Sequence, residues 1–185
     1  GLARGAKPLQ PWLARIDKVK SADDLPAFLA EASLAGVPGG IGLGIGQDDK
    51  DSTRYVPTLW QGGLGLPDRD YYLKDDDRSK GLREKYATFV STLFVLLGEK
   101  EGQAKEDAAA VIALETKLAQ AARTRVALRD PEANYNKRTL AELEKEAPGY
   151  AWATFLGKQG IPKAQDLVVG QPEFAKAFAA LTRSE

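Results

Sequence analysis

The chain has 185 residues, 43% of them hydrophobic, with 26 basic against 26 acidic side chains and no His, Cys or Met. A chain of this length buries a core of its own, and its zero net charge gives no electrostatic reason to hold nucleic acid or an anionic membrane. Without His or Cys there is no His-ligated zinc, no Ser-His-Asp or Cys-His nucleophile, no thiolate ligand and no disulfide. Catalysis would have to run on carboxylates, lysines, tyrosines or hydroxyls, so composition points to a module that supports a reaction carried elsewhere. Zero Cys fits a reducing cytosol and an exported bacterial protein equally. No apolar run reaches membrane-spanning length, and Gly1 to Lys7 lack an apolar core and a cleavage site, so no signal peptide is expected. The absence of any Met suggests a processed product or an excised segment.

In chain order, Pro8 to Lys20 places Leu9, Trp12, Leu13, Ile16 and Val19 at helical spacing. Ser21 is expected to cap a second helix with Leu25, Phe28, Leu29 and Leu34 on its apolar face, Pro26 in its first turn and Gly36 at its end. Ile41, Leu43 and Ile45 then alternate with Gly42, Gly44 and Gly46, a strand period. Thr53 to Gln61 is rich in β-branched and aromatic residues and reads as the second strand of a hairpin, with Pro57 marking it as an edge or a bulge. Gly62 to about Asp77 is expected to be a long irregular loop.

From Ser79 a helix is expected with Leu82, Tyr86, Phe89, Val90, Leu93, Leu96 and Leu97 on one stripe, ended by Gly98. Ala104 to Arg123 follows, with Ala108, Val111, Ile112, Leu114 and Leu118 inward. Arg129 to Lys137 is a loop in which Asp and Asn build turns and Tyr135 anchors them. Thr139 to Glu142 is a capping box opening a short helix that Pro148 and Gly149 close. Tyr150 to Gly157 is another short helix, Leu167 to Val169 a minor strand, and Pro172 to Arg183 a last helix with Phe174, Phe178 and Leu181 on one side. The fold class is mainly α, a multi-helix domain with one β-hairpin, organised as a single lobe over residues 1–185.

The glycine alternation from Gly40 to Gly46 is not a phosphate loop, since no G-x-G-x-x-G spacing and no Lys-Ser/Thr follow it; it suits close packing of protein on a bare strand face. The acidic runs at Asp48 and Asp75 lack the glycine and the terminal glutamate of a calcium loop and read as solvated turns. Paired carboxylates can hydrolyse glycosides without His, but 26 acidic side chains single out no pair. Arg69, Asp70 and Tyr71, beside Tyr72 on the glycine-rich loop, are the candidate site residues, either facing a cavity or pinning the loop to the body. No catalytic and no metal-ligating residue is assigned.

Two segments carry a resemblance. One is Ile45-Gly46-Gln47-Asp48-Asp49-Lys50-Asp51-Ser52 followed by Gly63-Leu64-Gly65-Leu66-Pro67-Asp68-Arg69-Asp70-Tyr71-Tyr72. The other is Leu114-Glu115, then Arg129-Asp130-Pro131, then Tyr135-Asn136-Lys137-Arg138-Thr139-Leu140, with Pro172-Glu173-Phe174 near the end. These resemble the neprilysin-like M13 family of zinc metallopeptidases, bacterial oligopeptidases included. The resemblance implies part of the N-terminal helical lobe that covers the active-site cavity and limits access to short peptides. The zinc and its H-E-x-x-H helix would lie in a catalytic domain that this chain lacks, so the chain alone is expected to be inactive and to need no cofactor. Its implied partners are that missing catalytic lobe of the same polypeptide and, in the parent enzyme, a peptide substrate; no nucleic acid and no membrane segment are implied. The family suggests an extracytoplasmic location, periplasmic or secreted, in a bacterium. The family often has Met where Arg138 stands, and the complete lack of Met and His departs from its pattern. A free-standing helical protein-binding module without enzymatic activity is the alternative.

Overall fold

Residues 5–162 and 164–184 are described by a computed structural model of the chain. The expectation about Gly1 to Lys7 falls partly on residues 1–4, outside the described residues. Among the described residues, eight α-helices and one four-stranded sheet make the fold mainly α. The chain divides into two compact units: the stretch up to Lys18 with Leu64–Gln120, and Val19–Gly63 with Ala121 onward.

The first unit holds α1 (Gln10–Ile16), α3 (Asp70–Leu73), α4 (Asp77–Leu96) and nearly all of α5 (Glu101–Ala121). The first helix is shorter than its hydrophobic spacing suggests, one 3-10 turn over Lys7–Leu9 leading into α1. The expected long loop after Gly62 contains the single turn α3. Asp76 caps α4 by accepting from the Ser79 amide at 2.9 Å. The stripe expected on α4 is mostly uncovered: Val90 and Ser79 are the buried residues of the helix, whereas Phe89 is 57% and Leu96 70% exposed, and Leu93 and Leu97 are exposed too. On α5, Ala104, Ala108, Leu118 and Ala119 are buried and Leu114 is exposed, contrary to expectation. Hydrophobic periodicity marks every apolar face without saying which one this unit covers by itself.

In the second unit α2 (Leu25–Leu34) packs with α7 (Trp152–Lys158), and Gln159 Nε2 donates to the Ala30 carbonyl at 3.3 Å. Ser21 does not cap α2, which starts at Leu25. Asp24 instead gathers the amides of Lys20 and Ser21 and the Ser21 hydroxyl. Gly36 ends α2 at φ 78°, with its amide on Ser33 and that of Val37 on Ala32, a Schellman closure. The capping box on α6 (Leu140–Glu146) forms as expected. On α8 (Pro172–Ser184), Phe174, Ala175, Phe178 and Ala179 are buried. Tyr150, Trp152 and Phe178 meet at ring separations of 4.7 and 5.0 Å from Tyr150.

The hairpin forms as β1 (Ile41–Asp48) and β2 (Asp51–Gln61), turning at Asp49 and Lys50. It belongs to a larger sheet of order β1-β2-β4-β3, completed by β3 (Lys137–Arg138) and β4 (Leu167–Val169). β4 runs parallel to β2 and antiparallel to β3. The expectation for Pro57 is therefore corrected, because β2 is an interior strand. Its ladder to β4 runs over Thr58 and Leu59 only, so the proline, with no N–H to donate, lies outside it.

Gly42 and Gly44 of β1 serve close packing. An added Cβ at Gly42 would meet the Trp60 indole nitrogen, and one at Gly44 the same ring at 2.8 Å. Gly40 lies against Phe178, whereas Gly46 faces open space.

Candidate functional site

The glycine-rich loop is held by a carboxylate that sequence reasoning quoted but did not single out. Glu115 faces inward from α5 and accepts from Tyr72 Oη at 2.5 Å and from Tyr86 Oη at 3.0 Å. The Tyr72 oxygen also accepts the Leu66 amide at 2.8 Å, which fixes the loop over its own phenol. Gly65 leaves the space the Tyr86 hydroxyl needs, since an added Cβ there would overlap it. Burial first, and the bond to Glu115 second, push the ionisation of Tyr86 up to about 12 and raise that of Tyr72 as well. The visible signal for Glu115 was a lone acidic residue in phase with Ala104, Ala108 and Leu118 on α5.

The three candidate residues do different things. Arg69 points its Nε at the Ala119 carbonyl, 3.1 Å away. Asp70 pairs with Lys74 at 2.9 Å, and its amide donates to Asp68 Oδ1. Tyr71 is half-buried and its carbonyl accepts from Arg83. Asp70 and Tyr71 border a surface cleft of about 240 Å³ shared with Asp68, Lys74, Asp76 and Arg78. Arg69 does not line it.

A second cluster lies in the other unit. Asp48, expected in a solvated turn, is only 2% exposed. It accepts from Lys137 Nζ at 2.6 Å, Tyr135 Oη at 2.7 Å and the Lys50 amide at 3.0 Å. The Lys137 ammonium, then the Tyr135 phenol, hold its carboxyl well below the usual carboxylate range. Burial without such partners would have raised it instead. The Asp and Asn turns of the 129–137 loop form as expected: Asp130 Oδ1 accepts the Ala133 amide, and Asn134 Nδ2 donates to the Leu128 and Asp130 carbonyls. A cleft of about 290 Å³ beside this cluster is bordered by Asp48, Trp60, Asn134, Tyr135 and Gln171.

Neither cluster suits zinc. The chain has no His or Cys, and among the described residues no group of three or more acidic side chains could hold a metal. Both oxygens of Glu115 accept phenols, and both oxygens of Asp48 are hydrogen-bonded. Such an arrangement positions loops.

The family model for the N-terminal part of Peptidase family M13 matches residues 2–185. The chain belongs to family M13. Among its curated relatives, Neprilysin-3 of Drosophila melanogaster is 34% identical over 142 residues, 73% of this chain and 18% of that protein. Endothelin-converting enzyme 1 of Cavia porcellus is 33% identical, covering 74% of this chain and 19% of that protein. A solved relative, the zinc metalloprotease Zmp1 of Mycobacterium tuberculosis in complex with an inhibitor, is 37% identical with a TM-score of 0.92, over 98% of this chain and 28% of that one. The chain thus spans under a third of the length of these relatives. Among the described residues no helix is long and apolar enough to cross a membrane.

Proposed function

We propose that this chain is the non-catalytic lobe of a zinc-dependent endopeptidase, covering the active-site cavity and admitting short peptides. The observation that carries this reading is the M13 match over residues 2–185 in a chain that has no zinc-ligating His or Cys. The metal and the hydrolytic step belong to a catalytic lobe of the same polypeptide. The uncovered apolar stripe of Phe89, Leu93 and Leu96 on α4 supports it, since a contiguous exposed apolar surface marks a place where another surface docks.

In this role residues 1–185 act as one lobe, and Arg69, Asp70 and Tyr71 belong to the wall facing the peptide. Arg69 holds the loop to α5 through the Ala119 carbonyl, while Asp70 and Tyr71 form one side of an open cleft. The tyrosine–Glu115 clamp keeps that wall rigid, so passage is limited by shape. The parent enzyme works outside the cytoplasm of a bacterium. The test is to incubate the chain alone with zinc and a peptide library. No cleavage is expected, and chelator-sensitive hydrolysis would overturn the proposal.

A further inference from the structure

We infer that the free edge of β1 is a docking strand for an extended peptide, uncharged along the edge and carrying a basic residue at the end that reaches the hairpin tip. The backbone groups available there follow from the register. Leu59, the partner of Leu43, gives its carbonyl to the Gly170 amide at 2.8 Å, and Gln61, the partner of Ile41, gives its amide to Gln171 Oε1 at 2.8 Å. Both face away from β1. Pro57, the partner of Ile45, has no amide to give. Ile41, Leu43 and Ile45 therefore sit in the non-hydrogen-bonded pairs, and their own N–H and C=O groups point out of the sheet. β1 ends the strand order, with no described strand on its other side.

This edge lacks the usual guards. From Ile41 to Gln47 there is no Lys, Arg, Asp, Glu or Pro, and the register shifts only at Gln47/Asp48. Ile45 is 63% exposed, so an incoming strand finds an apolar contact on one face, and a Cβ added at Gly46 would meet nothing within 4 Å on the other. Asp49 is exposed at the tip and Asp51 lies beside it, while Lys50 is paired with Glu132. That leaves a negative end, which selects the basic residue. A strand added to an edge takes affinity from main-chain bonds and specificity from alternate side chains, as suits a lobe of a peptidase. The inference rests on the proposed function for its choice of a peptide as occupant. It is tested on the chain without zinc or turnover, so its failure leaves the covering role standing.

The experiment is amide hydrogen exchange and NMR titration of the chain with a capped pentapeptide of alternating valine and threonine ending in lysine, up to roughly 1 mM, where weak association is visible. In the free chain, the amides of Leu43 and Ile45 exchange fast and those of Gly42 and Gly44 slowly. The peptide shifts Leu43 and Ile45 and slows their exchange by roughly tenfold as the open edge becomes paired. A backbone-methylated peptide has no effect, and a glutamate-ended peptide binds more weakly. The inference is overturned by slow exchange at Leu43 and Ile45 before peptide is added, by no change on adding it, or by an equal effect of the methylated peptide. Concentration-dependent pairing of the chain with itself at this edge, without peptide, would also overturn it.

Discussion

The phenol of Tyr72 donates to Glu115 at 2.5 Å across 43 residues of sequence, tying the turn after the glycine loop to the middle of α5. Tyr86 occupies the other oxygen of the same carboxylate. Glu115→Ala strands two phenols at once and is expected to cost roughly 1–3 kcal/mol, the penalty for buried polar groups left unpaired. Tyr72→Phe also frees the Leu66 amide. Denaturant melts measure both, and unchanged midpoints would show that the clamp holds nothing.

The same clamp sets an alkaline limit. The pKa of Tyr86 is raised from 10.0 to about 12, so its stabilising contribution is complete below pH 10 and is lost as pH rises from 10 through about 12. Thermal melts across that window should show a falling Tm, with a shallower fall in Tyr86→Phe. Asp48 sets the opposite limit. Its pKa lies below the ordinary 3.8, so its contribution is present above that value and fades as pH drops beneath it. Asp48→Asn should lower Tm at neutral pH and flatten the acid limb.

The β1 glycines are not equivalent. Gly42→Val drives into the Trp60 indole and is expected to cost roughly 1–3 kcal/mol by overpacking. Gly46→Val meets nothing within 4 Å and should be tolerated. Equal melts for the two variants would contradict the Trp60 packing.

Tyr150 behaves in the reverse sense. Its hydroxyl is buried without a hydrogen-bond partner among the described residues, and burial raises its pKa. Tyr150→Phe removes an unsatisfied group while keeping the ring against Trp152 and Phe178. Stability should stay level or rise by up to about 1 kcal/mol. A clear loss would reveal a partner for that hydroxyl.

Local chemistry was legible in the sequence wherever it decided the outcome. The Thr139–Glu142 capping box, the Gly36 and Gly98 helix ends and the alternation of β1 need only near neighbours. What was not legible depends on distant partners. Nothing near Asp48 announces that Lys137, 89 residues away, will neutralise it, so its acidic run resembles a solvated turn. The interior position of β2 likewise depends on β4, whose three residues carry little signal alone. The stripe on α4 was visible, but periodicity does not separate a face covered within the unit from one left open. Of the candidate site, the loop itself was legible; Glu115 was not, because its role exists only once α5 and the tyrosines meet.

Arg69→Ala separates wall from scaffold. Loss of its bond to Ala119 affects folding if the residue only pins the loop, and the Tm falls while the kinetics of the folded fraction are spared. In the wall role proposed above, kcat/KM for peptides changes in the full-length enzyme with zinc content intact.

The most direct measurement of the covering role is the dependence of kcat/KM on substrate length in the full-length zinc-loaded enzyme, for the wild type and for Phe89→Glu with Leu96→Glu. A covering lobe is expected to give efficient cleavage of short peptides, poor cleavage of long unfolded polypeptides, and a shift toward long substrates in the double variant at unchanged zinc content. A wild-type enzyme that cuts long polypeptides as readily as short peptides would contradict it.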